Sequence, residues 1–232
     1  MNVNGSVALV TGANRGIGRA LAAELLKRGA KVYATARRPE SIDLEGAEAL
    51  ALDITDPAAV MAAARAAGDV NLLVNNAGIG GGALLGDLDD VRAALDVNFW
   101  GTLSMIRAFA PALAANGGGA IVNIASSASW FTFPGASAYA VSKAANWNMS
   151  NALRHELAGQ GTLVTSVHIG LADTDMTKGL DFPKIDPADV ARAALDGVER
   201  GAYEVITDDI AAMVKGSLAN DPRDFPWSLL SA

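Results

Sequence analysis

Val7-Ala8-Leu9-Val10 runs directly into Thr11-Gly12-Ala13-Asn14-Arg15-Gly16-Ile17-Gly18, and this stretch sets the architecture of the chain. Four consecutive apolar residues predict a buried strand. Beyond the glycines, Ile17, Leu21 and Leu25 fall on one face of a helix, so a strand passes through a tight turn into a helix. The alternation continues outward. Apolar runs at Lys31 to Ala36, Ala49 to Leu52, Asn71 to Val74, Ala120 to Ile124, Leu163 to His168 and Tyr203 to Thr207 are separated by helical patterns. Those helices are expected at about Arg19 to Arg28, Ala58 to Ala67, Leu88 to Ala115, Ala138 to Leu157 and Pro187 to Glu199. The strands lack in/out alternation, so both faces should be covered. The pattern describes an α/β chain with a doubly wound parallel sheet and helices on both sides. With no linker or repeat, residues 1–232 read as a single domain, carrying a short lid near 175–187 and an irregular, proline-rich tail over 221–232.

Composition excludes several functions. The chain has 232 residues, 51% of them hydrophobic and 19% charged, which suits one large core rather than disorder. Its formal net charge is −7 and it has no long basic run, so nucleic acid is not an expected partner. No apolar stretch approaches the roughly 18 residues of a membrane span, and Met1-Asn2-Val3-Asn4 does not open a secretory signal. A cytoplasmic location is expected, without membrane contact. There is no cysteine, and His155 and His168 are the only histidines, so no metal site is expected.

Side chains at Gly12, Gly16 or Gly18 would obstruct a pyrophosphate approaching bare backbone and the first amides of the helix. The spacing, Gly-x-x-x-Gly-x-Gly, also suits an ordinary strand-to-helix turn. At the end of the second strand, where a site for NAD usually places an acid on the ribose 2′-hydroxyl, the chain reads Ala36-Arg37-Arg38. Two guanidinium groups there, with Arg15 in the glycine loop, could hold a 2′-phosphate, which favours NADP(H) over NAD(H); alternatively they are solvated charges. Asp53, ending the third strand, could meet an adenine amino group or cap the next helix.

Tyr139 and Lys143 are four residues apart, hence one turn apart on one helical face. A neighbouring ammonium favours phenolate, which would draw the tyrosine pKa down from about 10 toward use as an acid/base. Ser126 follows the strand ending at Ile124 and could polarise a carbonyl. Asn75-Asn76-Ala77-Gly78 ends the fourth strand at the same edge, where ligands of open α/β sheets bind. Asn98 begins or interrupts the long following helix, as a functional group, a cap or a buried amide satisfied by backbone.

Together, Thr11-Gly12-x-x-x-Gly16-Ile17-Gly18, Asn75-Asn76-Ala77-Gly78, Asn98, Ser126 and Tyr139-x-x-x-Lys143 resemble the classical short-chain dehydrogenase/reductase family over nearly the whole chain. The resemblance implies a Rossmann fold with Asn98, Ser126, Tyr139 and Lys143 as the catalytic set. In that set Tyr139 is the acid/base, Lys143 lowers its pKa and holds the nicotinamide ribose, Ser126 orients the substrate oxygen, and Asn98 anchors a water in a proton relay. Cofactor contacts are expected from Gly12, Asn14, Arg15, Gly16, Ile17, Gly18, Arg37, Arg38, Asp53, Asn75, Ala77, Gly78, Tyr139, Lys143, Gly170 and Thr174. After the sixth strand the family usually has Pro-Gly leading to a threonine. Here His168-Ile169-Gly170 precedes Thr174, and losing the proline is expected to loosen that loop. His168, next to that site, could be a catalytic group, but a strand-end histidine is more often structural and that is the expectation here.

Trp130, Phe131 and Phe133 lie between Ser126 and Tyr139, and Leu180, Phe182 and Ile185 lie in the lid. Ser126, Trp130 and Tyr139 are therefore expected to contact the substrate, a hydrophobic small-molecule ketone or aldehyde or the corresponding alcohol; the aromatics could instead pack in the core or at a subunit contact. Trp100, Met105, Trp147 and Met149 suggest a homodimer or homotetramer. An NADP(H)-binding sensor without turnover is the alternative function.

Overall fold

The computed structural model describes residues 1–225. Its strands are β1 (Val7–Val10), β2 (Lys31–Ala36), β3 (Ala47–Ala51), β4 (Leu72–Asn75), β5 (Ala120–Ile124), β6 (Leu163–His168) and β7 (Glu204–Ile206). They form one seven-stranded sheet in the order β3-β2-β1-β4-β5-β6-β7, and every pairing is parallel. The order reverses between β1 and β4, which opens a crevice beyond the carboxyl ends of those strands. In register there, Val10 pairs with both Ala34 and Val74, and Asn75 pairs with Asn123.

Both faces of the sheet are covered. Helices α1 (Gly16–Lys27) and α6 (Pro187–Glu199) bury Leu21, Leu25, Val190 and Leu195 on one side. On the other, α2 (Pro57–Ala66), α4 (Thr102–Ala115) and α5 (Ser137–Glu156) bury Val60, Phe109, Leu113 and Leu153. Central strands β1, β4 and β5 are apolar on both faces for this reason. Strand β3 departs from that expectation. It lies at an edge, and none of its five residues is buried.

Two helical segments also differ from the sequence expectation. The single helix expected over Leu88 to Ala115 is α3 (Leu88–Leu95) and α4, joined by a π-helical turn at Asp96–Gly101 that holds the buried Asn98. Such turns interrupt helices where a side chain is needed at a special angle. A further helix, α7 (Asp209–Gly216), follows β7; the Asp208 carboxylate caps it by accepting from the Ala211 amide, and Ala211 and Val214 are buried. In the tail Phe225 stacks on Phe131 at 5.3 Å between ring centroids, while Trp227 lies outside the described residues. Of the four residues expected at a subunit contact, Met105 is fully buried in the core and Met149 packs against it, whereas Trp100 is 56% exposed.

Candidate active site

The glycine turn is shaped by contacts that exclude side chains. Gly12 and Gly16 have φ of +64° and +53°, in the left-handed region that favours glycine. A Cβ on Gly18 would fall 2.2 Å from the Gly12 carbonyl oxygen and 2.3 Å from Asn76 Nδ2. The segment after β4 grips the turn from the other side. The Thr11 hydroxyl accepts from the amides of Asn76 and Ala77, both at 2.9 Å, and Asn76 Nδ2 donates to the carbonyls of Thr11 and Gly12 at 2.9 and 3.2 Å. Helix α1 starts here with no side-chain cap and no acid in its first turn. Its first amides and positive dipole end therefore suit a phosphate, and a pyrophosphate fits the glycine cradle.

The basic groups lie in the glycine loop and after β2. The Ala13 amide donates to the Thr35 carbonyl at 2.8 Å, which joins the glycine loop to the end of β2, where Arg37 and Arg38 are exposed. Arg15 is exposed, and its Nη1 lies 2.9 Å from Oδ2 of Asp175. Asp53 accepts from the amide and hydroxyl of Thr55 at 2.9 and 2.7 Å. Those bonds, with the charge of Arg37, hold its pKa below the usual carboxylate range. Capping of α2 falls instead to Asp56, which accepts from the Ala58 amide, so Asp53 closes the preceding turn.

Four residues expected to do chemistry converge at the ends of β4 and β5. Ser126 follows β5 and its Oγ accepts from the Ala128 amide at 3.1 Å. Its side chain also lies close enough to the Tyr139 phenol to draw that group's pKa down. One turn along α5, Lys143 is 5% exposed and donates to the Ile124 carbonyl at 2.7 Å, with Nζ 5.7 Å from the Tyr139 ring centroid. Gly78 separates Lys143 from Asn98: a Cβ there would lie 3.0 Å from Asn98 Oδ1 and 3.7 Å from Lys143 Nζ.

The electrostatics of the pair differ from the sequence expectation. Burial pushes the Tyr139 phenol above its ordinary pKa, against a smaller downward pull from Ser126. Burial also brings the Lys143 ammonium down to about 8. Desolvation, not ammonium-to-phenol attraction, therefore sets the direction of the tyrosine shift.

Asn98 is a bracket. Its Oδ1 accepts from the Ile79 amide, and its Nδ2 donates to the Ile79 carbonyl and to Ser142 Oγ, each at 2.9 Å. The side chain thus ties the loop after β4 to α5, as a buried amide satisfied largely by backbone. The Asn98 carbonyl accepts from Asn146 Nδ2 at 2.9 Å and Thr102 Oγ1 at 3.1 Å. Sequence reasoning missed Ser142 and Asn146; both are polar residues on the buried face of α5 beside Lys143, and that is the signal that could have found them.

Beyond β6, the loop lacking the family proline is tied by other means. Ile169 is buried and its carbonyl accepts from the Ser127 amide at 2.8 Å, while the Gly170 amide donates to Asp208 at 2.7 Å. The lid base pairs Ala172 with Ile185, and Thr174 caps a short turn at Asp175–Thr177. Thr174 Cγ2 would lie 3.2 Å from a Cβ on Gly16, so the lid rests against the glycine loop.

His168 is fully buried. Its ring stacks on Trp130 at 4.0 Å, Nδ1 lies 3.3 Å from the Ser126 carbonyl, and Nε2 lies 3.8 Å from Glu204 Oε1. Trp130 also meets the edge of Trp147 at 6.0 Å, and Lys215 Nζ lies 5.5 Å from its ring centroid. The Trp147 indole N–H donates to Glu204 at 2.7 Å, and Lys215 pairs with the same carboxylate. Much of the Trp130 ring surface is thus packed against protein. Burial brings the His168 pKa down to about 4 from 6.5. Between those values the unfolded chain binds a proton that the folded chain does not, so stability falls as pH drops from 6.5 toward 4 and this contribution is complete above 6.5. The expected loss is about 3 kcal/mol. Urea midpoints at pH 7 and 4.5 should differ more for the wild type than for His168→Gln; equal differences would remove His168 from the acid transition.

The family model described as short chain dehydrogenase matches residues 6–183. A 1-deoxy-11-beta-hydroxypentalenate dehydrogenase of Streptomyces avermitilis is 34% identical, with 95% of this chain and 91% of that protein covered. A 3-oxoacyl-(acyl-carrier-protein) reductase of Escherichia coli is 36% identical, covering 93% of this chain and 95% of that protein. Among solved structures, a short chain dehydrogenase from Burkholderia cenocepacia in complex with NADP matches with a TM-score of 0.93 and 39% identity, over 100% of both chains.

Proposed function

The chain belongs to the short-chain dehydrogenase/reductase family, and from that premise we propose that it is an NADP(H)-dependent oxidoreductase interconverting a hydrophobic ketone or aldehyde and its alcohol. The observation that carries this reading is the gathering of Ser126, Tyr139 and Lys143 at the sheet edge that also forms the glycine cradle. With its pyrophosphate in that cradle, a nicotinamide dinucleotide would supply the hydride for reduction or accept it in oxidation. Ser126 then donates to the substrate oxygen as negative charge develops, and Tyr139 gives that oxygen its proton. Tyr139 is protonated at neutral pH, as its donor role in reduction requires. Asn98 holds the loop carrying Gly78 against α5 and so keeps Lys143 and Tyr139 in place.

For the cofactor, Arg15, Arg37 and Arg38 favour a 2′-phosphate, and the similar Burkholderia cenocepacia protein was solved with NADP. For the substrate, Phe131 and Phe133 meet edge to face at 4.4 Å between β5 and α5, and support an apolar pocket that Trp130 borders with whatever surface its packing leaves open. The named substrates of the two relatives differ, so they do not choose one. Absorbance of NADPH and, separately, NADH should be followed against aryl and alkyl ketones and aldehydes. Consumption of NADPH in preference to NADH, fastest with aryl carbonyls, is expected. NADPH binding without consumption of either cofactor would replace the enzyme by the sensor.

We also propose a homo-oligomer, supported by the exposed Trp100 in the π-helical turn before α4. Light scattering should return a multiple of 23.7 kDa; the monomer mass at working concentration would refute it.

A further inference from the structure

Arg15 has two competing uses for its charge. It precedes the first residue of α1, in the loop whose Ala13 amide bonds the Thr35 carbonyl near the end of β2. Its guanidinium is nevertheless paired, at 2.9 Å, with Asp175, a residue 160 positions later. Asp175 is the first residue of the lid turn. That turn is fixed: the Thr177 hydroxyl donates to the carbonyls of Ala172 and Thr174, and Thr174 packs against Gly16. The carboxylate is therefore held over the glycine loop rather than carried on a free segment. The two side chains are 71% and 68% exposed, so the pair is weak and a bound anion can break it.

We propose that Asp175 is a specificity-determining residue: its carboxylate competes with the ribose 2′-phosphate for Arg15, latching the lid to the glycine loop in a way that NADP(H), but not NAD(H), must release. The inference rests on the assignment of Arg15 to the 2′-phosphate made above. A phosphate offers the guanidinium more charge and a bidentate geometry, where Asp175 makes one short contact, so the phosphate wins the competition. It does so against the remaining negative charge of Asp175 nearby. NAD(H) carries no group that needs Arg15 and leaves the latch closed. The acid thus narrows the preference that the three arginines would otherwise give.

The test is calorimetric titration of NADP+ and NAD+ into the wild type, Asp175→Asn, Arg15→Ala and the double variant. Asp175→Asn should bind NADP+ about two- to fivefold more tightly, with NAD+ unchanged. The gain should vanish in the Arg15→Ala background and shrink at high salt. Equal tightening toward both cofactors would show a general charge effect and overturn the inference, as would no change toward either. A wild type that binds NADP+ no better than NAD+ would instead remove the 2′-phosphate assignment, and this inference with it.

Discussion

Tyr139→Phe is expected to lower kcat/KM for carbonyl reduction by about 10²- to 10⁴-fold, the range for removing a positioned acid. The substitution deletes one oxygen from a partly exposed ring at the start of α5 and leaves the helix intact. The lost atom is the phenol oxygen beside Ser126, so the substrate oxygen would keep one donor and lose its proton source. Melting temperature and NADP+ affinity, measured alongside, show whether the loss is chemical. A fall of less than tenfold with unchanged folding would place the acid elsewhere. Lys143 cannot substitute readily: its ammonium is already engaged by the Ile124 carbonyl, and its pKa near 8 reflects burial away from water.

The parts of this site legible in the sequence are those fixed by local spacing. Tyr139 and Lys143 share a face because a helix repeats every 3.6 residues, and Gly12, Gly16 and Gly18 mark a turn because backbone must approach backbone there. The parallel sheet was likewise legible from β1, β4 and β5, whose runs are apolar on both faces. What escaped depends on residues brought together from afar. The Arg15–Asp175 pair spans 160 positions, and Asn98 meets Ser142 and Asn146 at separations of 44 and 48. The direction of the Tyr139 shift escaped for a related reason: spacing reveals a neighbouring charge, but not how deeply both groups are desolvated. Helix α7 was missed because eight residues carry too little periodicity, although Asp208 at its start is a recognisable cap.

Gly18→Ala should have the largest effect on the cradle. Gly18 lies within α1 and its φ is not in the left-handed region, so alanine meets no conformational penalty and would by itself favour the helix. The obstacle is contact alone. The added methyl would lie 2.2 Å from the Gly12 carbonyl oxygen and 2.3 Å from Asn76 Nδ2, and the first of these is backbone that cannot rotate aside. Relief requires α1 to move away from the turn, or Gly12 to move and break the Asn76 bonds that hold Thr11 and Gly12. The expected cost is about 2 to 3 kcal/mol, which lowers the melting temperature by about 4 to 12 °C at this chain length. NADP+ affinity should fall at least tenfold, because the displaced backbone is the surface that would receive the pyrophosphate. Gly216→Ala, at the end of α7 with nothing among the described residues within 4 Å of its new methyl, is the control and should be neutral or slightly stabilising. If Gly18→Ala melts and binds NADP+ like the wild type, the close approach of α1 to the glycine turn is not what forms the phosphate site.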